Sequence, residues 1–91
     1  MEFERDEKKA KANLKKHKVS FEEAGTVFDD LLFLIFADPD HSFDEKRFII
    51  MGKSNKNRLL VVSFTERKPK IRLISARKAT RAERKNYEEE I

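Results

Sequence analysis

At 91 residues, with no cysteine and 42% charged side chains, the chain has the size of one domain and excludes disulfide staples and cysteine-based zinc sites. The hydrophobic fraction is only 38%, but the eight phenylalanines and the Ile, Leu and Val runs gather in the middle, which predicts a single folded domain over 1–91. The net charge of +4 hides three blocks: residues 1–18 carry seven bases and four acids, 19–45 eight acids and no base, and 46–91 fourteen bases and five acids. Basic ends suit a polyanion, while an acidic middle repels one and suits a different partner.

The first residues are charged rather than apolar, and no apolar run approaches the ~20 residues of a membrane span. A cytoplasmic protein with neither signal peptide nor anchor is expected. Residues 6–17 hold good helix formers, with Asp6 placed to cap the start and lysines favourable at the end. The apolar stripe is thin (Ala10 and Leu14, with Asn13 and His17), so this helix is expected to lie on a surface. Ser20-Phe21-Glu22-Glu23 reads as a capping box opening a second helix, with Phe21, Ala24, Val27 and Phe28 at helical spacing and Asp29-Asp30 at its end.

The continuous apolar run 31–36 is too short for a helix and meets the turn cluster Ala37-Asp38-Pro39-Asp40, which predicts a strand. Further strands are predicted over 43–52, 58–65 and 70–77, separated by the turn Asn55-Lys56-Asn57 and the break at Pro69. Thr80-Arg81-Ala82-Glu83 is a second capping box, opening a helix to about 89 that has only Ala82 and Tyr87 to bury. The expected fold is α+β: two N-terminal helices, a four-stranded, mainly antiparallel sheet and a C-terminal helix, with room for a short strand around Phe3. Phe21, Phe28, Phe36, Phe48 and Phe64 are assigned to the core, and Phe33 or Phe43 to the surface.

Phe3-Glu4-Arg5-Asp6-Glu7-Lys8, the run Asn13-Leu14-Lys15-Lys16-His17-Lys18-Val19-Ser20-Phe21-Glu22-Glu23-Ala24, and Ser75-Ala76-Arg77-Lys78-Ala79-Thr80 together resemble the BrnT family of toxins. Asp38-Pro39-Asp40-His41-Ser42, Glu45-Lys46-Arg47-Phe48 and Glu83-Arg84-Lys85-Asn86-Tyr87 extend the resemblance over nearly the whole length. It implies a RelE-like ribonuclease fold and the toxin half of a bacterial type II toxin–antitoxin pair. It also implies a ribbon-helix-helix antitoxin that holds the toxin inactive in a heterotetramer and is the part that meets operator DNA. Arg5 departs from the family, which commonly has an aromatic residue there.

RNA brings its own nucleophile, the ribose 2′-OH, so its cleavage requires no metal or other cofactor. It requires a base, an acid and cations aimed at the phosphate. Arginine suits the cation role because its planar fork donates two hydrogen bonds to phosphate oxygens. Arg47, Arg67, Arg72 and Arg77 lie on or beside three consecutive predicted strands, where they either converge on one surface or serve as ordinary outward-facing cations. Arg77 stands in the best-matching block. His17, beside Lys15, Lys16 and Lys18, is the better histidine for proton transfer, and Lys16 is a candidate acid or phosphate contact. The alternative for both is a solvated helix end. Glu66 is either a base or an arginine-paired surface carboxylate. Asp38-Pro39-Asp40-His41 offers metal-type ligands but reads as a turn, and no metal is expected. The acidic stretch from Glu22 to Glu45 has the sign to face a basic antitoxin element. The expected activity is therefore metal-independent ribonuclease. The competing reading is a non-catalytic RNA- or DNA-binding module, or an antitoxin's co-repressor, since binding and catalysis both place cations on a sheet.

Overall fold

The computed structural model describes residues 1–38 and 46–90. In chain order the elements are β1 (Glu2–Glu4), α1 (Glu7–His17), α2 (Phe21–Thr26) running into a 3₁₀ turn (Val27–Asp29), β2 (Leu34–Ala37), β3 (Phe48–Lys53), β4 (Leu59–Arg67), β5 (Lys70–Lys78) and α3 (Arg81–Glu90). The strands form one five-stranded sheet in the order β1-β5-β4-β3-β2. Four are antiparallel, as expected, but β1 joins β5 in parallel, so the sheet is mixed and five-stranded rather than four-stranded. Three residues gave too little periodicity to show this from sequence.

Strand alternation sends Ile50, Leu60, Val62, Phe64, Leu73 and Ala76 to one face, where Ala10, Phe21 and Ala24 from the two N-terminal helices, Val19 between them and Val27 of the 3₁₀ turn cover them. Fully burying a side chain such as Ile50 or Leu60 stabilises the fold by about 2 kcal/mol. The opposite face carries Met51, Leu59 and Val61, against which Tyr87 of α3 packs, with Leu34, Ile49 and Ala79 partly buried beside them. Tyr87 Oη donates to Asp30 at 2.6 Å, and burial, reinforced by this bond, pushes its pKa up to about 12. Gly52 lets the 3₁₀ turn approach β3, since a Cβ there would stand 3.0 Å from Asp30 Oδ2 and 3.1 Å from Val27 Cγ1.

The caps explain the helix boundaries. Asp6 accepts from the N–H groups of Lys8 and Lys9, and Lys18 ends α1 in the left-handed region at φ 60°. Thr80 and Glu83 form the reciprocal box: Glu83 N donates to Thr80 Oγ1 at 3.1 Å, and Thr80 N to Glu83 Oε1 at 2.8 Å. At Ser20 only half of the expected box exists. Ser20 Oγ accepts from Glu23 N at 3.0 Å, but the buried Glu23 carboxylate turns away to Arg58 and Ser54. The hydrogen bonds from the Arg58 guanidinium, aided by Ser54, hold the Glu23 carboxyl below its usual range.

Other expectations change in detail. Leu31 and Leu32 form a turn rather than strand, because Asp30 Oδ1 accepts from Leu32 N at 2.9 Å and closes the backbone. Phe36, assigned to the core, is exposed, since β2 is an edge strand and α3 stops short of it. Phe21 and Phe64 are buried, Phe28 and Phe48 pack partly buried against them, and Phe33 is exposed. On α1 the buried residues are Ala10 and Asn13, while Leu14 is half-exposed. Phe43 and the sequence 39–41 with metal-type ligands lie outside the described residues.

Candidate functional site

The face of the sheet that α3 leaves uncovered is read most easily in rows across the strands. Val61 on β4 lies opposite Met51 on β3 and Arg77 on β5, and Ser63 lies opposite Ile49 and Ser75. A shift in the pairing follows, and Thr65 then lies opposite Arg72. On the other side, Phe48 pairs with Phe64, so Arg47, one residue earlier, comes level with Thr65 on the same face. Arg47 just before β3, Thr65 on β4 and Arg72 on β5 therefore form one row, and Arg67, opposite Lys70, continues it towards the β4–β5 turn.

Glu4 is the carboxylate at this end. Its Oε1 stands 3.7 Å from Nη1 of both Arg67 and Arg72, close enough for attraction and too long for a hydrogen bond. β1 supplies it, since Glu4 lies beside Arg72 in the parallel pairing. Among the described residues Arg47 Nε and Thr65 Oγ1 are shielded from solvent and have no hydrogen-bond partner. Such groups are rare in folded proteins and cluster where a ligand or a rearrangement satisfies them. Arg77 stands apart, two rows away on β5. Its guanidinium donates to Glu83 twice, at 2.7 and 2.8 Å, and once to Lys78 O at 3.3 Å. This paired geometry, with the Arg77 bonds as the largest cause, lowers the Glu83 carboxyl to about 2. A groove of about 240 Å³ runs from Arg77 and Glu83 past Ile49, Met51 and Val61 to Phe36.

The predicted residues thus divide into three places. Arg47, Arg67 and Arg72 share one end of the open face, and Arg77 lies at the other end beneath α3. His17 and Lys16 do not join either group. They end α1 and line a groove along the side of β5, with Ile74 and Ser75 as its floor. Glu66 lies opposite Ile71, on the helix-covered side of the sheet from Arg67. Arg5 sits elsewhere again, bound to Glu7 at 2.9 Å and Glu22 at 2.6 Å where β1 meets α2. Sequence reasoning missed Thr65 and Glu4, and saw Glu83 only as a cap. The period-two spacing of Thr65 and Arg67 was the available signal for the first. Among the described residues no three His, Cys, Asp or Glu side chains gather in a metal-binding group.

The sequence profile described as "Ribonuclease toxin, BrnT, of type II toxin-antitoxin system" matches residues 6–83. The chain belongs to the BrnT toxin family. The crystal structure of the Brucella abortus ribonuclease toxin, BrnT, superposes with a TM-score of 0.65 at 23% identity, covering 89% of this chain and 99% of that one. That likeness shows that the α+β fold with its mixed five-stranded sheet is a BrnT fold. No curated protein sequence matches the chain. Among the described residues no helix of this BrnT-family chain is long and apolar enough to cross a membrane.

Proposed function

We propose that this chain is an endoribonuclease that cleaves RNA by metal-independent attack of the ribose 2′-OH on the adjacent phosphate. The observation that carries the reading is the row Arg47–Thr65–Arg72, which brings two arginines together on the face of the sheet that α3 leaves uncovered. Arginine stays protonated throughout the accessible pH range, so this cationic surface does not depend on buffer. A phosphate seated there takes two-pronged hydrogen bonds that strengthen as charge builds on its oxygens. Arg67 extends the surface along the backbone of the nucleic acid. Arg77 is already neutralised by Glu83, so its share of phosphate stabilisation is smaller than that of Arg72. His17 or Lys16 assists proton transfer, approaching along the side of β5 at Ser75, between the two arginines of that strand.

Membership of the family supports the remaining parts of the reading. A ribbon-helix-helix antitoxin neutralises the chain in a heterotetramer, operator DNA is met only through that antitoxin, and the setting is cytoplasmic.

Purified protein is expected to cleave RNA in EDTA and to leave 2′,3′-cyclic phosphate ends. Arg72→Ala is expected to stay folded and lose about 10²–10³-fold in rate, more than Arg77→Ala. Cleavage that chelation abolishes, or that proceeds on a strand deoxygenated at the scissile 2′ position, would sink the mechanism. A gel shift of uncleaved RNA would favour the non-catalytic binder.

A further inference from the structure

Among the described residues, large apolar side chains are most exposed along the run that leads into β2, an edge strand of the sheet. Leu31, Leu32, Phe33, Ile35 and Phe36 are all exposed, Leu31 by 98%. Edge strands are ordinarily guarded by lysine, proline or a bulge, because their outer N–H and C=O groups invite another strand. Leu31-Leu32-Phe33-Leu34-Ile35-Phe36-Ala37 contains no charge and no proline. Asp38 N donates inward to Arg47 O at 2.9 Å, and inward and outward groups alternate along an antiparallel pair. Ile35 and Ala37 therefore turn their N–H and C=O groups outward.

We propose that the outer edge of β2 is the docking site for an extended, apolar and basic segment of the antitoxin, which joins the sheet as a sixth strand. The identity of the partner rests on the toxin reading above. Its chemistry rests on charge and shape. Residues 19–45 hold eight acids and no base, and in the sequence Asp29 and Asp30 precede the exposed run while Asp38 follows it. A second copy of this chain would bring the same acids to the contact, whereas a segment carrying Lys or Arg complements them. Alternate residues of an added strand fall beside Phe36, above the groove whose far end is Arg77. One docking event then gains backbone hydrogen bonds along β2 and covers the approach to Arg77.

The test mixes the full chain with the antitoxin encoded beside it and follows amide exchange by NMR. The expected result is at least tenfold slower exchange at Ile35 and Ala37 in the complex, with Ile35→Pro and Ile35→Lys each weakening binding at least tenfold and Ile35→Glu weakening it less than Ile35→Lys. The proline removes an outward donor, and the lysine repels a basic strand at an exposed position that tolerates it without unfolding. Full-affinity binding by both variants, with exchange at Ile35 and Ala37 unchanged, would overturn the proposal. So would slow exchange at these amides in the isolated chain, a dimer in sedimentation, or no binding by the antitoxin. RNA cleavage by the free chain is scored separately, so failure of the ribonuclease reading is told apart from failure at the edge.

Discussion

Glu83 holds three donors at once: two from Arg77 and the backbone N–H of Thr80. Its carboxyl falls from an ordinary 4.5 to about 2, chiefly because of Arg77. A folded pKa below the unfolded one contributes stability that is complete above about 4.5 and disappears as pH falls through about 2. Both side chains are partly solvated, so the contribution at neutral pH is about 1 kcal/mol. In urea unfolding, the stability difference between wild type and Glu83→Gln is expected to shrink steadily from pH 5 to pH 2; a constant difference would contradict the assignment. The spacing Thr80-x-x-Glu83 was legible in the sequence because a capping box is local. The second use of the same carboxylate was not, because Arg77 reaches it only after β5 and α3 are placed against each other.

Among the elements, α1 shows how one polar residue substitutes for a strand. β1 pairs with β5 only over 70–72, leaving the backbone around Ala76 without a neighbour on that side. Buried Asn13 fills the gap: its Oδ1 accepts from Ala76 N at 3.0 Å, and its Nδ2 donates to Ala76 O at 2.8 Å and to Val19 O at 2.9 Å. Asn13→Ala is expected to destabilise the fold by about 2–3 kcal/mol, read as a lower denaturant midpoint with an unchanged slope, because it leaves buried backbone groups unsatisfied. The helix itself could be read from its formers and from Asp6, whereas the value of Asn13 depends on a partner 63 positions away. Phe36 illustrates the converse error. Its run of apolar neighbours marks a strand correctly, but hydrophobicity does not say whether that strand lies inside the sheet or at its rim.

For the molecule as a whole, the three charge blocks of the sequence acquire positions. The basic C-terminal block supplies β3, β4, β5 and all four candidate arginines, while the acidic block supplies α2 and the β2 rim. If RNA meets the open face through roughly three or four phosphates, the logarithm of the binding constant is expected to fall with the logarithm of salt at a slope of about −2 to −3. A slope near zero in a filter-binding titration would place the nucleic acid elsewhere. The arginines could be listed from sequence, but their division between the two ends of β5 could not, because it follows from the pairing shift near Ser63 and from the place where α3 settles.

The two margins of the sheet are unequal. On one side β1 covers three residues of β5 and Asn13 of α1 closes the backbone at Ala76; on the other, no strand among the described residues pairs with the outer edge of β2. With one open margin, two copies can meet edge to edge, but neither then has a second open margin of its own to pass on. Two equally open margins would instead let copies add without limit into a fibre.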